Sequence, residues 1–307
     1  MHTCAIVNPV AGGGRARRLW PRLLPPLLEA SRRLTVRWTT GPKSATSLTR
    51  SALRRGVERV VAVGGDGTLH EVVNGFFMDG QPIAPHAVCA FLPCGTGSDA
   101  RRSLGGRAGM SAAAHLDQAP VRPIDLLRLH YVTANGEPAD RYALNVASFG
   151  LSGAVLQWAR RGQHLPLPPR LRYFGAIVAA LCTHRPSSVA LTLDGRPLPT
   201  EQYWLGAVAN GSTFGAGLRI APNARIDDGL LNVTLIHDRA PAALLMRTHR
   251  FYRGSHLSLE GVAAYTGRRL TARPAQSAPV WLEADGERLG RLPATVEVLP
   301  GALRMQA

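Results

Sequence analysis

A glycine-rich segment carrying one acid and one threonine, Gly64-Gly65-Asp66-Gly67-Thr68, follows the apolar run Val60–Val63 and precedes a segment with helical spacing of apolar residues. Glycines at a strand-to-helix turn let backbone N–H groups approach a phosphate, and the helix N-terminus adds positive potential. A carboxylate there would repel a bare phosphate, so Asp66 is best explained beside a magnesium ion or an attacking hydroxyl. The segment therefore predicts a site that handles a phosphorylated nucleotide.

The same residues also fit a purely structural explanation. Thr68 could cap the helix while Glu71 reaches back to the N–H of the cap residue, and the glycines could form a tight turn. For one such turn the two explanations are about equally weighted. A second segment, Pro93-Cys94-Gly95-Thr96-Gly97-Ser98-Asp99, follows the predicted strand Ala87–Leu92 and favours the nucleotide site.

These segments must be positioned by a sheet. Strand and helix signals alternate over roughly the first 120 residues, which is typical of a parallel sheet flanked by helices. A helix is predicted to begin near Arg15 and to be disturbed at Pro25-Pro26. Because ligands bind at the carboxyl ends of parallel strands, the loops Asn8–Gly14, Gly64–Thr68 and Gly95–Asp99 are expected to converge on one edge.

After Pro123 the pattern changes to short alternating segments, with hairpin signals at Asp194-Gly195 and Asp285-Gly286. Gly153–Cys182 interrupts them and is predicted to be helical at both ends. The predicted fold class is α/β plus β: an open parallel α/β nucleotide-binding domain over residues 1–123, then an antiparallel β-sandwich-like domain over residues 124–295. Roughly the last 10–15 residues are left free to join the first domain.

Charge and composition exclude some function classes. The chain has 36 Lys and Arg against 20 Asp and Glu, a net charge of +16, which favours anionic partners. The single lysine, Lys43, leaves no Gly-x4-Gly-Lys motif, so the chain is not a P-loop kinase. We expect the four cysteines to be buried free thiols. With no long apolar run, we expect a cytoplasmic protein, soluble or peripheral on the inner face of the membrane.

At this point the residues resemble a family. Gly64–Thr68 with the following Leu69-His70-Glu71 is similar to the signature of the diacylglycerol kinase catalytic domain, found in bacterial lipid kinases and related to sphingosine kinases. The resemblance covers nearly the whole chain. In chain order, its further motifs are Asn8-Pro9 with Gly12, Pro93–Asp99, Asn145–Gly150, Asn210-Gly211, Pro222–Gly229 and Asp285-Gly286-Glu287. It implies an N-terminal domain similar to those of NAD kinases and phosphofructokinases.

The resemblance implies transfer of the ATP γ-phosphate to a lipid hydroxyl. It assigns the general base to Glu287, and a positioned carboxylate is useful because an alcohol is protonated at pH 7. It places Asp66 and Asp99 at the catalytic magnesium and phosphates. It also implies that Asp125 is an acid that supports this network. An ordinary aspartate at the edge of a domain explains Asp125 equally well.

Further contacts follow from the same resemblance. The implied nucleotide contacts are Asn8, Gly12, Thr39, Gly64, Gly65, Asp66, Gly67, Thr68, Gly95, Thr96 and Gly97. Thr40 leaves the register of Thr39 open, and Ser98 departs from the family's usual asparagine. Asp228 resembles a structural magnesium ligand, with backbone oxygens of Arg225 and Leu230 as partners, although an Asp-Gly turn explains it at least as well.

The implied cofactors are ATP and Mg²⁺, and the implied partners are a lipid substrate and an anionic membrane surface. Apolar Leu165–Pro169 and Tyr173–Cys182, flanked by arginines, could dock on a bilayer or cover the core of the second domain. The alternatives are an NAD kinase-like phosphotransferase and a catalytically silent lipid- or nucleotide-binding module. Nucleic-acid binding is not expected, because the positive charge is the only feature of the sequence that favours it and no recognised binding motif accompanies that charge. The oligomeric state stays open, a homodimer included.

Overall fold

The computed structural model describes residues 1–95, 99–105, 116 and 119–306 of the 307-residue chain. They form two compact units, one of Met1–Leu126 with Pro300–Ala307 and the other of Leu127–Leu299. The chain enters the second unit within the strand Val121–Thr133 and returns within the strand Glu287–Gln306. Each unit is described separately below.

The first unit is built on a parallel sheet. The strands of this unit are β1 (His2–Val7), β2 (Arg33–Trp38), β3 (Arg59–Gly64), β4 (Phe77–Met78), β5 (Gln81–Pro82) and β6 (Val88–Pro93), of which β4 and β5 form a separate antiparallel pair. Its helices are α1 (Ala11–Glu29), α2 (Ser44–Arg54), α3 (Asp66–Gly75) and α4 (Asp99–Ser103). The parallel order is β2-β1-β3-β6, and Arg304–Gln306 pair beyond β6. Every residue of β3 is buried, as expected for a strand covered on both faces.

The first helix differs from its prediction at one end. Gly12, Gly13 and Gly14 have left-handed dihedral angles, so regular helical backbone starts after them, near the predicted Arg15. The prediction that Pro25-Pro26 disturb the helix is wrong, because α1 continues to Glu29. The side chains of this helix, including the partly buried Leu19 and Leu23, pack on the sheet core, and that burial outweighs the lost backbone hydrogen bonds.

The second unit is rich in antiparallel strands. They are β7 (Val121–Thr133, shared with the first unit), β8 (Pro138–Ala143), β9 (Val146–Gly150), β10 (Ser187–Leu193), β11 (Arg196–Pro197), β12 (Glu201–Ala209), β13 (Leu231–His237), β14 (Val262–Gly267), β15 (Arg269–Pro274), β16 (Trp281–Ala284) and β17 (Glu287–Gln306, also shared). The helices are α5 (Leu151–Arg161), α6 (Pro169–Thr183), α7 (Pro241–Met246) and α8 (Thr248–Arg253), with 3₁₀ turns at Gly162–His164 and His256–Ser258.

The strand pairs of this unit return on themselves, in the order β10-β12-β9-β16-β17-β15-β10. Their inward side chains form one apolar core, and a second apolar cluster lies where α6, α7 and α8 meet β12 and β13. Both predicted Asp-Gly hairpins form. Asp285 and Gly286 have φ of 49° and 81°, the positive values at both positions that a type I′ hairpin turn requires.

The cysteines agree only in part with their prediction. Cys4, Cys89 and Cys94 are buried free thiols, and burial raises the pKa of Cys4 to about 11 and of Cys89 to about 12. Cys182 is exposed, so its predicted burial is wrong. It lies near the end of α6, whose buried side includes Ala180 and Leu181. Among the described residues, no helix combines the length and the apolar character that crossing a bilayer requires.

Candidate active site

Two predicted loops meet at the point where the order of the parallel strands reverses. β1 is flanked by β2 and β3, so the loops that follow β1 and β3 lie at a topological switch point. The Asn8 backbone N–H donates to the Val63 carbonyl at 2.9 Å. Asn8 Nδ2 donates to Thr68 Oγ1 at 3.0 Å. The first and second loops are therefore joined by side chains that the sequence singled out.

Glycine is required where these loops touch. A Cβ on Gly64 would lie 2.4 Å from Thr68 Oγ1, and one on Gly95 would lie 2.7 Å from the Cα of Gly65. A Cβ on Gly12, whose φ is +61°, would lie 2.3 Å from the Cys94 carbonyl oxygen. The three loops thus pack backbone against backbone. This leaves main-chain groups, rather than side chains, to face a ligand.

Two of the predicted acids lie together in this cluster. The Asp99 backbone N–H donates to Asp66 Oδ2 at 3.0 Å, which fixes the start of α4 against the start of α3. Asp99 Oδ1 accepts a hydrogen bond from Arg102 Nη1 at 2.7 Å, and Asp99 is 8% exposed. Carboxylate oxygens are ligands that hard divalent cations accept, and here Asp66 Oδ2 is engaged by the Asp99 N–H and Asp99 Oδ1 by Arg102. Thr96 and Gly97, which were predicted to contribute here, and Ser98, which departs from the family's asparagine, lie outside the described residues.

Glu71 does not take part in a capping box. The N-cap of α3 is Gly65, and no side chain caps it. Glu71 Oε1 instead accepts the backbone N–H of Lys43 at 2.8 Å, and its Oε2 accepts that of Ala45 at 2.9 Å. Glu71 therefore caps the N-terminus of α2, where a carboxylate is stabilised by otherwise unpaired N–H groups. The predicted capping box of Thr68 and Glu71 is therefore wrong, while the tight glycine turn is present.

Two other predicted residues of the first unit are Asp125, within β7, and Thr39, directly after β2. Asp125 is 2% exposed, and its Oδ1 accepts the Gly301 backbone N–H at 2.7 Å, which secures the returning C-terminal strand. Thr39 follows β2 and donates its backbone N–H to the Val7 carbonyl. The neighbouring Thr40 hydroxyl faces Ser44 at the start of α2. Their catalytic and nucleotide-binding roles stay predictions.

In the second unit, Asp285 joins three of the segments that carry the family resemblance. Its carboxylate accepts the backbone N–H groups of Leu144, Asn145 and Val146 at 2.9–3.1 Å. The Asn145 carbonyl in turn accepts the backbone N–H groups of Asn210 and Gly211. Asp285 thus fixes the hairpin that carries Glu287.

Glu287 directly follows this turn, opposite Ala284. Its side chain is 49% exposed, and Oε2 lies 3.1 Å from Arg160 Nη2, near the end of α5. Sequence reasoning missed a second acid here, Glu283, which is 3% exposed and accepts a hydrogen bond from Ser148 Oγ. Burial raises the pKa of Glu283 to about 7. The sequence feature that could have indicated this residue is its position as an acid within the apolar run Val280–Ala284.

A narrow apolar cavity of about 80 Å³ lies in the second unit. It is lined by α5, α6, α7, α8, the strands β12 and β13, and the segment around Leu218. All but two of its lining side chains, Ser152 and Thr248, are aliphatic or aromatic. Leu151 and Val155 of α5 line it, and Arg160 of the same helix holds Glu287. One helix therefore connects an apolar cavity to the carboxylate predicted as the base.

The predicted structural magnesium site is a turn in this structure. Asp228 Oδ1 accepts the Leu230 backbone N–H at 3.0 Å, and the neighbouring Asp227 Oδ1 lies 3.4 Å from Arg225 Nε. Within the described ranges, no cluster of three or more His, Cys, Asp or Glu side chains is arranged to hold a metal. Coordination by Asp228 with backbone oxygens of Arg225 and Leu230 stays a prediction.

Two family models match the chain, and together they cover most of it. The model of the diacylglycerol kinase catalytic domain matches residues 2–129. The model of the YegS C-terminal NAD kinase beta sandwich-like domain matches residues 145–307, more than half of the chain. The predicted fold class is confirmed by these matches together with the structural neighbours below.

Several known proteins are similar to this chain. A diacylglycerol kinase of Mycobacterium tuberculosis is 27% identical over 98% of this chain and 93% of its own. A protein of Stenotrophomonas maltophilia described as a YegS-like lipid kinase is 30% identical over 89% and 86%.

Among solved structures, a Bacillus anthracis protein described as a diacylglycerol kinase superposes with a TM-score of 0.76 at 25% identity, covering 99% of this chain and 96% of its own. Yeast NADH kinase, at TM-score 0.55 and 13% identity over 99% and 82%, shares the fold alone. With both family models matched and the glycine loops and the Glu287 hairpin in place, the chain belongs to the diacylglycerol kinase family of ATP-dependent lipid kinases.

Proposed function

We propose that this enzyme transfers the γ-phosphate of ATP to a hydroxyl of diacylglycerol or a related lipid alcohol, with Mg²⁺ as cofactor. The observation that best supports a lipid as the acceptor is the apolar cavity of the second unit. Helix α5 lines this cavity with Leu151 and Val155 and holds the Glu287 carboxylate through Arg160. An acyl chain gains free energy from such a lining because apolar surface leaves water.

The nucleotide side of the reaction is proposed for the glycine loops. Gly65 and Gly95 let backbone approach backbone, and the N-terminus of the ten-residue helix α3 provides N–H groups for phosphate. Asp66 and Asp99 are the residues that would hold Mg²⁺, which neutralises charge on the transferred phosphoryl group when bound. Asn8 and Thr68 keep the two loops in register.

Glu287 is proposed as the general base. Its carboxylate takes the proton of the lipid hydroxyl while the hydroxyl oxygen forms a bond to the γ-phosphorus. The bond from that phosphorus to its bridging oxygen breaks, and ADP leaves with the electron pair. Because the Glu287 side chain is half exposed, the proton can then pass to water. Arg160 holds the carboxylate in place before the proton is transferred.

An NAD kinase-like activity is the competing proposal, since yeast NADH kinase shares the fold. A dinucleotide acceptor presents phosphates, riboses and amides, all of which need polar partners. The described cavity offers aliphatic and aromatic walls instead. This lining favours a lipid over a dinucleotide as the acceptor.

We also propose that this unit contacts an anionic membrane surface. Leu165, Leu167, Leu171 and Phe174 are 54%, 46%, 56% and 38% exposed, an apolar set within and just before α6. Arginines of α5 and α6 flank the set. Exposed apolar side chains beside cations suit an interface of acyl chains and anionic headgroups. Sedimentation with phosphatidylglycerol vesicles, compared with phosphatidylcholine vesicles, tests this: equal binding to both would contradict it.

The decisive experiment follows labelled γ-phosphate from ATP into lipid. Purified protein is given mixed micelles of diacylglycerol, monoacylglycerol, ceramide, sphingosine and phosphatidylglycerol, with and without Mg²⁺. We expect a magnesium-dependent labelled product in the chloroform phase. Label found only on added NAD in the aqueous phase would establish the competing activity. ATP binding without transfer to any acceptor would contradict the proposed kinase reaction.

A further inference from the structure

The acid Glu283 is a buried side chain that the proposed reaction does not use. It lies in β16 directly opposite Ser148 of β9, and Ser148 Oγ donates a hydrogen bond to its Oε1. It is 3% exposed, and it lies on the face of the sheet opposite to its neighbours Leu282 and Ala284, which belong to the apolar core. A carboxyl group buried in an apolar strand is costly unless it is compensated. Its presence two residues before the turn at Asp285-Gly286 therefore calls for an explanation.

Three charged groups act on Glu283, and all belong to the proposed catalytic hairpin or to α5. Asp285 and Glu287 repel its negative charge, and Arg160 attracts it. The Asp285 carboxylate is engaged by backbone N–H groups at Leu144 and its two successors. Arg160 is engaged by Glu287 at 3.1 Å. Arg160 therefore forms an ion pair with Glu287 and acts on Glu283 through its charge alone.

The protonation state of Glu283 depends on these neighbours. Burial raises its pKa to about 7, repulsion by Asp285 and Glu287 adds to this effect, and Ser148 and Arg160 oppose it. Glu283 therefore changes charge near neutral pH. When Glu283 is neutral, it does not compete with Glu287 for the positive charge of Arg160. Its anionic form attracts Arg160 and repels the charge on Glu287.

We propose that Glu283 is a positioning residue that shares Arg160 with Glu287 and thereby sets how readily Glu287 accepts the proton of the lipid hydroxyl. A negative charge nearby favours the protonated form of a carboxylate, which makes that carboxylate a stronger base. Ionised Glu283 therefore promotes proton transfer to Glu287, and neutral Glu283 weakens it. This inference rests on the proposed function, since it assigns Glu283 a role through the proposed base.

A purely structural role is the alternative, in which Glu283 only joins two strands through Ser148. Substitution Glu283→Gln separates the two roles. The amide oxygen can still accept the Ser148 hydrogen bond and the volume is nearly the same, but the charge is lost. Ser148→Ala is the matched partner, because it removes the hydrogen bond and keeps the carboxyl group.

The first measurement does not need activity. Potentiometric titration of wild type against Glu283→Gln should show one proton taken up around pH 7 that the variant lacks. In Glu287→Gln the midpoint of that titration should fall by about half a pH unit or more, because one repelling charge is gone. In Arg160→Gln it should rise. An unchanged midpoint in both variants would overturn the proposal that Glu283 and Glu287 share Arg160.

The second measurement is the pH profile of kcat/KM with the lipid acceptor. Wild type should gain about threefold to tenfold between pH 6 and 8, and Glu283→Gln should lose this rise while Ser148→Ala keeps it, displaced to higher pH. A Glu283→Gln profile that matches wild type would overturn the proposal while leaving the kinase intact. If no lipid is phosphorylated by wild type, the proposed function fails, and the titration still decides the coupling. Should Glu283→Gln not fold, the displacement of the Ser148→Ala profile to higher pH provides the test, and a Ser148→Ala profile that matches wild type would overturn the proposal.

Discussion

Arg160 Nη2 lies 3.1 Å from Glu287 Oε2, so α5 holds the side chain that directly follows the Asp285-Gly286 turn. The turn itself is fixed from the other side by the three backbone N–H groups that Asp285 accepts. The predicted base therefore extends from a backbone that is held rigidly, while its carboxylate stays accessible. This is the arrangement that a proton acceptor for a large substrate requires.

Glu287→Gln should lower kcat by about a hundredfold or more, because general bases contribute on the order of 10²–10⁴. ATP affinity should stay within about threefold, since the change does not alter the glycine loops. Glu297→Gln, the same substitution further along β17, is the control. Turnover close to wild type in Glu287→Gln would show that another group takes the proton.

Asp66→Asn should cause a severe loss of magnesium-dependent turnover. Asparagine can still accept the Asp99 N–H, but it lacks the charge that favours a divalent cation. The loss should appear as a lower kcat and a higher Mg²⁺ requirement in a titration of activity. Asp79→Asn is the control, because Asp79 lies in a turn with φ of 50° that asparagine tolerates. Full activity in Asp66→Asn would leave the loop with a structural role only.

Glu71→Ala should lower the free energy of unfolding by about 1–2 kcal/mol, the usual effect of losing an N-terminal cap. The two lost hydrogen bonds are those to the Lys43 and Ala45 N–H groups. Chemical denaturation measures the change, with the exposed Glu29→Ala as the control. Equal stability of the two variants would mean that water replaces this cap without cost.

Leu244→Trp should fill part of the apolar cavity and raise the KM for a long-chain acceptor about tenfold. The KM for ATP should not change, because the cavity lies wholly in the second unit. Met246→Trp is the matched control on the same helix α7, since Met246 is 78% exposed and is not a lining residue. A similar effect of both variants would point to a disturbed helix rather than to a filled cavity.

Glu283 should make the protein less stable as pH rises. Its pKa is raised from 4.5 to about 7 on folding, so its stabilising contribution is complete below pH 4.5 and is lost as pH passes 7. The cost of ionisation at pH 8 is on the order of 3 kcal/mol. Glu283→Gln should therefore raise the Tm relative to wild type more at pH 8 than at pH 5. The same difference at both pH values would show that the carboxyl group does not titrate in this range.

The sequence alone predicted the glycine loops, the hairpin turn and the parallel sheet, because each depends on the conformational preferences of neighbouring residues. Glycines after an apolar run predicted the tight loops, because only glycine permits the contacts at Gly64 and Gly95. Asp285-Gly286 predicted a hairpin turn, because both residues must take positive φ. Alternating strand and helix signals predicted the parallel sheet. The prediction that the proline pair disturbs α1 was wrong, because packing of the helix on the sheet core outweighed the tendency of proline to break a helix.

The remaining features depend on which distant segments meet. Glu71 looked like a cap for its own helix, yet it caps α2, about 26 residues earlier in the chain. Ser148 and Glu283, separated by 135 positions, become partners only through the register of β9 with β16. The apolar cavity combines residues from four helices and two strands. A sequence determines backbone preference over a few residues, whereas long-range pairing and burial decide which side chains share an environment, and with it their charge and chemistry.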